Sequence, residues 1–473
     1  MEEQAAPSGE APKPAPKGKG LWIGIAVVVV VVVVLLALVL GGFFNPPPGP
    51  TEDEILKIGT ALPLTGGLSA YGPGMERAAR LAVEEINANG GVLGRPVDLY
   101  TADDRTDAAA GRDAATALIQ TNHVDAIVGA AGSGISSAIL QVAKANQVVQ
   151  VSPASTSPIF SNHSFDEGWF FRTAPSDALQ GVVAAHYAFD NRTFTTMAVI
   201  GINNPYGTGL ANVFASTFET LGGTVTLVKI VNEAQTSYTA ALTDIWDGPE
   251  AAPEAVYFVA YPDTGVQLMS DWWAGRAGWP TEWMFSEGLQ AQSYVDSLVS
   301  RGLDVSPFEG SAPVSPGGAQ FTSFATRYRA EYSNEDPVLF ASNTYDAVYM
   351  VALAAQKAGT ASGPAIKAEM LNISRSPGTQ VNPGPTGWAA IVAGGAAEVD
   401  YEGASGSLNW DEFGDPTSAY EIWGMNATNR IVRVAFFSEA QVVAWTTAFA
   451  ALALPSGAQE TFLTTLAALT RGN

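Results

Sequence analysis

The regular alternation of strands and helices after residue 55 constrains the fold more than any other feature of the sequence. Ile55–Leu62 is an apolar run of strand length, and Met75 opens a stretch with apolar residues at helical spacing. Two further strand-length runs, Ala126–Val128 and Val148–Val151, enclose another helical stretch. Strands that alternate with helices of this length are typical of parallel βαβ units.

The same pattern starts again after the segment Arg172–Asp177. Ser176 can cap the first helix of this second half, and strand-length runs recur from Met197–Ile202 to Trp283–Phe285. We therefore predict an α/β fold with two doubly wound parallel-sheet lobes. In such folds a ligand binds at the carboxyl ends of the strands, so the cleft between the lobes is the expected site.

The composition disfavours several classes of function. The net charge of -23 comes from 23 basic and 46 acidic residues, and nucleic acid is not an expected partner because phosphate binding requires clustered Lys and Arg. The chain has no cysteine, which excludes disulfides, thiolate metal sites and cysteine nucleophiles. His123, His163 and His186 lack metal-binding spacing, and no phosphate-binding or nucleophile-elbow motif is present. We expect no cofactor, no metal and no enzymatic activity.

An apolar segment near the N-terminus predicts a membrane anchor. Residues 21–44 are almost wholly apolar and long enough to cross about 30 Å of hydrocarbon as a helix. Lys13, Lys17 and Lys19 precede this segment and acidic residues follow it, so the positive-inside rule puts the N-terminus in the cytoplasm and the folded region outside. A cleaved signal peptide is the alternative, although its apolar core is usually only about 7–15 residues long.

The segments around the anchor and at the end of the chain have distinct compositions. Residues 1–20 predict a disordered cytoplasmic tail, and residues 45–54 form a Pro-rich linker that acts as a stiff spacer. Residues 438–473 predict a C-terminal helical extension, since Val442–Leu454 is apolar but too short to span a membrane. This extension can pack on a lobe or bind a partner, and the sequence does not distinguish between these two roles.

Short motifs follow one another in a fixed order along the folded region. They are Ile58–Gly66, Leu81–Asn87, Ala126–Gly129, Ser152–Pro158, Phe171–Asp177, Pro205–Ala211, Tyr345–Val348 and Leu408–Asp411. With these motifs in this order, the chain resembles the extracytoplasmic leucine/isoleucine/valine-type (branched-chain amino acid) solute-binding proteins of ABC importers. The resemblance extends from about Ile58 to Trp423. The resemblance implies a type I periplasmic-binding-protein fold with a three-segment hinge.

This resemblance also implies a division of the chain and a set of partners. Lobe 1 would take residues 55–175 plus 314–417, and lobe 2 would take residues 176–313 plus 418–437. Crossovers near Thr173–Ser176, Glu309–Val314 and Thr417–Tyr420 would form the hinge, and closure about it would bury the ligand. The implied partners are an amino acid ligand and the permease and ATPase subunits of an ABC importer.

The family pattern assigns a ligand-binding role to particular residues. An amino acid offers a carboxylate, which needs N–H and hydroxyl donors, and an ammonium, which needs carboxylate and carbonyl acceptors. Ser133 lies where a helix begins and suits the carboxylate, whereas Glu287 aligns with the acidic residue that binds the ammonium. The implied ligand-binding residues are Ser133, Ala154, Thr156, Tyr206, Glu287 and Tyr71.

Simpler explanations exist for all of these residues. Ser133 can be a helix cap, the segment with Ala154 and Thr156 can be a surface turn, Glu287 can be a solvated charge and the tyrosines can be core residues. The sequence also departs from the family at Ala260, where a tyrosine is expected. This departure leaves the branched-chain preference open, while the groups for the amino acid backbone are all present.

Two other functions are compatible with the same fold. The chain can be the ectodomain of a ligand-sensing receptor, although only residues 1–20 would face the cytoplasm and a partner would have to signal. It can also bind another small polar solute, such as an amide or urea. An amidohydrolase is disfavoured because the sequence shows no nucleophile–base pair and no metal cluster.

Overall fold

The computed structural model describes residues 55–248, 252–275, 282–314, 317–375, 377–394 and 398–453. The predicted cytoplasmic tail, membrane helix and linker, residues 1–54, lie outside these ranges. The last part of the predicted extension, residues 454–473, also lies outside them. Within the described ranges, no helix combines the length and the apolar character needed to cross a membrane.

The first sheet has five parallel strands in the order β2-β1-β3-β4-β5. They are β1 (Lys57–Leu62), β2 (Asp98–Asp103), β3 (Ala126–Gly129), β4 (Val149–Ser152) and β5 (Phe170–Arg172). Side chains alternate between two cores: Ala126 and Val128 join one cluster and Ile127 joins the other. Helices cover both faces, which explains why the central strand β3 is a continuous apolar run, whereas the edge strand β2 is polar and only partly buried.

Four helices make up these covering layers. Gly72–Ala88 packs against Ala341–Ala358 on one face, and Ala108–Gln120 packs against Ser133–Ala145 on the other. The Asp107 side chain caps the Ala108–Gln120 helix by accepting the Ala110 N–H at 2.8 Å.

The second sheet has seven strands in the order β15-β14-β10-β9-β8-β6-β7. They are β6 (Thr196–Ile202), β7 (Thr224–Val231), β8 (Ala255–Val259), β9 (Glu282–Phe285), β10 (Glu309–Val314), β14 (Ala419–Met425) and β15 (Ile431–Phe437). β6 to β10 pair in parallel, and β14 and β15 add an antiparallel edge. The two parallel sheets confirm the predicted fold class.

Two details of this sheet differ from the prediction. Glu309–Val314, implied as a crossover, is the strand β10, so the chain leaves the sheet only after Val314. The sheet also ends in the hairpin β14–β15, which was not predicted from the sequence. β10 pairs with β14, which is distant in sequence, so a local pattern does not reveal this pairing.

A small third sheet, β11-β12-β13, was not predicted. Its strands are β11 (Thr379–Val381), β12 (Val399–Gly403) and β13 (Gly406–Ser407), with the helix Pro385–Gly394 after the first of them. β11 and β13 have only three and two residues, too few to produce a readable periodicity around β12.

The remaining helices lie around the two main sheets. They are His163–Asp166, Asp177–His186, Pro205–Thr220, Thr239–Trp246, Pro262–Gly275, Gln292–Ser300, Ala319–Glu331, Gly363–Glu369 and Glu439–Ala453. The last of these belongs to the predicted C-terminal extension and packs against Asp177–His186 and Pro205–Thr220. The His186 ring stacks on Trp445 with 4.4 Å between ring centroids. The described part of the extension therefore covers a lobe.

The connections between the sheets fall close to the predicted hinge. β5 ends at Arg172 and the next helix begins at Asp177, while β14 begins at Ala419. We propose that the predicted lobe boundaries apply, with lobe 1 built on the first sheet and lobe 2 on the second. The names lobe 1 and lobe 2 are used below in this sense.

Candidate functional site

The predicted site residues all follow the carboxyl ends of parallel strands. In lobe 1, Tyr71 comes after β1, Ser133 after β3, and Ala154 and Thr156 after β4; in lobe 2, Tyr206 comes after β6 and Glu287 directly after β9. The carboxyl ends of parallel strands lie at one edge of a sheet, so each lobe presents its residues along one edge.

A cavity of about 30 Å³ lies between these edges. Five of the six predicted residues line it: Tyr71, Ser133, Ala154, Tyr206 and Glu287. Thr156 is fully buried nearby but does not line the cavity, and its hydroxyl makes no hydrogen bond within the described part of the chain. The structure adds residues that the prediction did not contain: Leu68, Met75, Ala131, Tyr261, Gly288 and Phe340.

The two lobes are in direct contact around the cavity. The Tyr71 hydroxyl of lobe 1 donates to the carbonyl oxygen of Gly288 in lobe 2 at 3.1 Å. Ser157 of lobe 1 donates through Oγ to the carbonyl oxygen of Pro205 at 2.8 Å. Inside lobe 2, the Tyr206 and Tyr261 rings stack at 5.3 Å with an interplanar angle of 3°. These contacts enclose the cavity on the side of the strand ends.

The lobe 1 wall presents hydrogen-bond donors. Ser133 is the first residue of the helix Ser133–Ala145, whose N-terminal N–H groups and positive dipole end face the cavity edge. Ser133 Oγ already accepts the Ser157 N–H at 3.2 Å, and its own proton remains for an acceptor. Gly132 precedes the helix, and a Cβ atom at position 132 would lie 3.2 Å from the Tyr261 hydroxyl. This wall suits an anionic group such as a carboxylate.

A buried arginine holds the loop that carries Ala154 and Thr156. The Arg172 guanidinium donates to the carbonyl oxygens of Ser155 at 3.1 Å and Ser157 at 2.9 Å. The same group forms a bidentate pair with Asp415, with both N–O distances at 2.6 Å. Because a fully buried guanidinium requires such partners, Arg172 fixes the loop against the core.

Sequence reasoning included Arg172 only as part of a family motif and did not assign it a role. An arginine inside the apolar strand Phe170–Arg172 was the available signal. Its partner Asp415 is 243 residues away, however, so the pair could not be recognised from spacing.

The lobe 2 wall presents a buried carboxylate. Glu287 is 3% exposed, and Gln180 donates through Nε2 to its Oε2 at 2.5 Å. Burial raises the Glu287 pKa to about 7. Glu287, which the family resemblance implied as the ammonium ligand, lines this wall of the cavity.

Asp177 is a second buried carboxylate, and it was not among the predicted site residues. Burial raises its pKa well above the ordinary value, and the negative charge of Glu287 acts in the same direction. Neighbouring Thr156 and Arg172 oppose this shift, and among the described residues neither Asp177 oxygen has a hydrogen-bond partner of good geometry. Asp177 does not line the cavity, but its negative charge acts on Glu287, which does.

The arrangement has the polarity that a zwitterion requires. The opposed walls provide donors on one side and a carboxylate on the other, which matches the two charged groups of an amino acid. The described ranges contain no group of three His, Asp or Glu side chains that could hold a metal ion. The apolar side chains of Leu68, Met75 and Phe340 line the rest of the cavity.

The chain matches the family model described as periplasmic binding protein over residues 55–390. It belongs to the periplasmic binding protein family. It is 30% identical, over 54% of its length, to Leu/Ile/Val-binding protein homolog 2 from Brucella abortus, of which it covers 64%. It is 26% identical, over 81% of its length, to the chemotactic signal transduction system substrate-binding protein BasB from Halobacterium salinarum, of which it covers 91%.

Solved structures show the same fold. The leucine-binding protein LivK from Thermotoga maritima superposes with a TM-score of 0.68 and is 25% identical, with 81% of this chain and 99% of that chain covered. The substrate-binding protein LivJ from Streptococcus pneumoniae superposes with a TM-score of 0.66 at 23% identity, with the same coverage of both chains. The resemblance to leucine/isoleucine/valine-type binding proteins is thereby confirmed, and these relatives are binding proteins rather than enzymes.

Proposed function

We propose that this protein is an extracytoplasmic solute-binding protein that captures an amino acid between its lobes and delivers it to an ABC permease and its ATPase. The observation that carries the proposal is the opposed polarity of the cavity walls. Ser133 and the helix that it begins would bind the carboxylate, and Glu287 would bind the ammonium, with the negative charge of buried Asp177 close to Glu287. The ligand leaves chemically unchanged.

The apolar part of the cavity supports a branched-chain amino acid as the ligand. Leu68, Met75 and Phe340 offer an apolar surface to a side chain, and no charged group other than Glu287 lines the cavity among the described residues. The relatives named as Leu/Ile/Val-binding and leucine-binding proteins support the same preference. An amide or urea is the alternative ligand, since it would bind to only some of the polar groups of the cavity.

A calorimetric titration of the purified protein with each of the common amino acids, acetamide and urea tests this proposal. We expect leucine, isoleucine or valine to bind most tightly and to be recovered intact by mass spectrometry. Failure of every amino acid to bind, or turnover of a bound amide, would exclude it.

We propose that residues 21–44 anchor the protein in the cell membrane as a single span with lobes 1 and 2 outside. The apolar segment and the lysines before it support this orientation. Expression with and without residues 21–44 tests it: the full chain should stay with membranes after a carbonate wash, and the shortened chain should be released. Release of both chains would exclude an uncleaved anchor.

A second candidate function is sensing, in which the liganded protein docks on a separate membrane transducer. The similarity to BasB, which carries a chemotactic signalling name and matches over 81% of this chain, favours this candidate. Affinity purification of the liganded protein separates the two functions. Recovery of a permease supports import, and recovery of a transducer without a permease supports sensing.

A further inference from the structure

Four Asn-x-Ser/Thr sequences occur in the folded region, and ligand capture gives none of them a role. They begin at Asn162, Asn191, Asn372 and Asn426. This tripeptide is the attachment sequence for N-linked sugars on exported proteins. The atom that bonds to the sugar is the side-chain amide nitrogen of the asparagine, so a folded attachment site must expose Nδ2 and leave it free. The structure distinguishes the four sites by this requirement.

Asn426 begins the turn of the hairpin between β14 and β15. The Asn426 N–H donates to the carbonyl oxygen of Arg430 at 2.9 Å, and the Asn429 N–H donates to the carbonyl oxygen of Asn426 at 2.9 Å. Gln292, at the start of the neighbouring helix, donates through Nε2 to the Asn429 carbonyl oxygen at 2.9 Å. Residues 426–428 are all exposed. The tripeptide therefore lies on an exposed turn of defined shape.

Hydrogen bonds to the Asn426 side-chain oxygen orient its amide group. Oδ1 accepts the Thr428 N–H at 2.9 Å, the Thr428 hydroxyl at 2.8 Å and the Arg430 N–H at 3.0 Å. Within the part of the chain that the structure describes, Nδ2 donates no hydrogen bond. Donors to an amide oxygen draw electrons away from the nitrogen, so they make the Nδ2 protons more acidic. The threonine of the tripeptide thus acts directly on the amide that would carry the sugar.

The other three asparagines lack this combination of features. Asn372 Nδ2 donates to the Glu369 carboxylate and to a carbonyl oxygen of the preceding turn, both at 3.2 Å, and Ser374 is fully buried. Asn162 and Asn191 are exposed. Among the described residues, neither accepts a hydrogen bond from the hydroxyl of its own tripeptide. Asn426 is therefore the best-presented of the four.

The tip of the hairpin lies away from the ligand cavity. β14 runs antiparallel to β10, so Ala419 pairs with Val314 at the carboxyl end of β10, whereas Gly424 pairs with Glu309 at its amino end. The turn after Met425 therefore projects from the edge of the sheet opposite to the carboxyl ends of the parallel strands, where the ligand cavity lies. A sugar chain at this tip leaves the cleft open.

We propose that Asn426 is a site of N-linked glycosylation. The donor is a sugar bonded through its anomeric carbon to the phosphate of a lipid carrier, and a membrane-bound transferase supplies it. Asn426 Nδ2 forms a bond to the anomeric carbon, while the bond from this carbon to the phosphate oxygen breaks and the lipid phosphate leaves with its electron pair. The amide nitrogen loses one proton to a base of the transferase. This inference rests on the proposed extracytoplasmic location of lobe 2.

The test is mass spectrometry of the full-length protein isolated from the cells that produce it, both intact and after proteolysis. The peptide that contains Asn426 should carry a sugar chain, and the peptide that contains Asn372 should carry none. Asn426→Asp keeps Oδ1 and its turn but lacks Nδ2, so the intact mass should fall by one whole sugar chain. Thr428→Ser keeps the hydroxyl and should retain the sugar, whereas Thr428→Val should lose it. Asn372→Asp is the matched control and should keep the wild-type sugar mass.

Protease digestion of intact cells shows independently whether the lobes are outside the membrane. An extracytoplasmic wild type with no sugar on Asn426 overturns the inference and leaves the proposed function intact. A sugar that persists in Thr428→Val, or a sugar on Asn372, overturns the structural reason for choosing Asn426. Lobes that are digested only after the membrane is opened would refute the proposed location, and the inference fails with it.

Discussion

The two walls of the ligand cavity differ in polarity and in how fully their own groups are paired. On the lobe 1 wall, Ser133 and the loop after β4 are held by internal hydrogen bonds that reach back to Arg172. On the lobe 2 wall, Glu287 is buried close to Asp177, and neither Asp177 oxygen has a hydrogen-bond partner of good geometry within the part of the chain that the structure describes. Lobe 1 is thus a preformed receptor for an anion, whereas lobe 2 holds negative charge that a bound ammonium would stabilise. This difference explains how a zwitterion can join the lobes.

The largest expected effect comes from removing the support of the lobe 1 wall. Arg172→Met leaves Asp415 buried without its partner, and we expect the free energy of unfolding to fall by about 3–5 kcal/mol. Urea denaturation measures it. Arg329→Met is the control: its pair with Asp336 is exposed, so the loss should be about 0–1 kcal/mol. Similar losses in the two variants would contradict the assigned role of Arg172.

The next effect concerns the charge of the lobe 2 wall. Glu287→Gln keeps the shape but removes the ammonium partner, and the ligand Kd should rise at least 100-fold, or about 3 kcal/mol. Burial raises the pKa of the Glu287 carboxyl from its ordinary value of 4.5 to about 7, so its ionisation destabilises the fold increasingly between these two pH values and by a constant amount above pH 7. The unliganded variant should therefore be at least as stable as the wild type at pH 8.

Glu219→Gln is the matched control, since Glu219 lies on an exposed part of the helix Pro205–Thr220 in the same lobe. It should change neither the ligand Kd nor the free energy of unfolding. If Glu287→Gln loses affinity because it unfolds, the denaturation curve will show it. A stable variant with wild-type affinity would contradict the role of Glu287 as the ammonium partner.

A smaller effect is expected on the lobe 1 wall. Ser133→Ala removes one hydroxyl donor to the ligand carboxylate but leaves the helix N–H groups, so the loss should be about 1.5–3 kcal/mol in binding. Ser137→Ala lies one turn further along the same helix, where the hydroxyl donates to the Ser133 carbonyl oxygen at 3.0 Å. It should bind like the wild type. An equal loss in the control would indicate a general effect on the helix.

The smallest effect is a pH dependence that belongs to the lobe 2 wall alone. Protonated Glu287 does not pair with an ammonium, so affinity should be highest above pH 7 and fall as the pH drops below its pKa of about 7. One unit below the pKa the loss should be about tenfold, or 1.4 kcal/mol. Titrations at pH 8 and pH 6 measure it, and Glu287→Gln should show almost none of it. Equal affinity of the wild type at pH 8 and pH 6 would contradict the role of Glu287 as the ammonium partner.

Sequence patterns predicted the scaffold of the site better than its contents. The strands β1, β3, β4, β6 and β9 were recognised as short apolar runs, and the residues directly after them were assigned to the ligand. Asp177 and Phe340 were missed because a carboxylate next to a helix cap and an aromatic before a helix have ordinary local explanations. The branched-chain preference stayed open at Ala260, and the apolar lining of the cavity became visible only through residues from separate parts of the chain.

The sequence by itself determined the α/β lobes, because the spacing of apolar residues is a local property of each strand and helix. The family resemblance supplied the candidate residues in the segments after the strands. Only the tertiary structure decided which of them meet across the cleft, that Arg172 is satisfied by Asp415, and that Phe340 lines the ligand cavity. The physical reason is that charge pairing, burial and cavity shape depend on groups that are far apart in the chain.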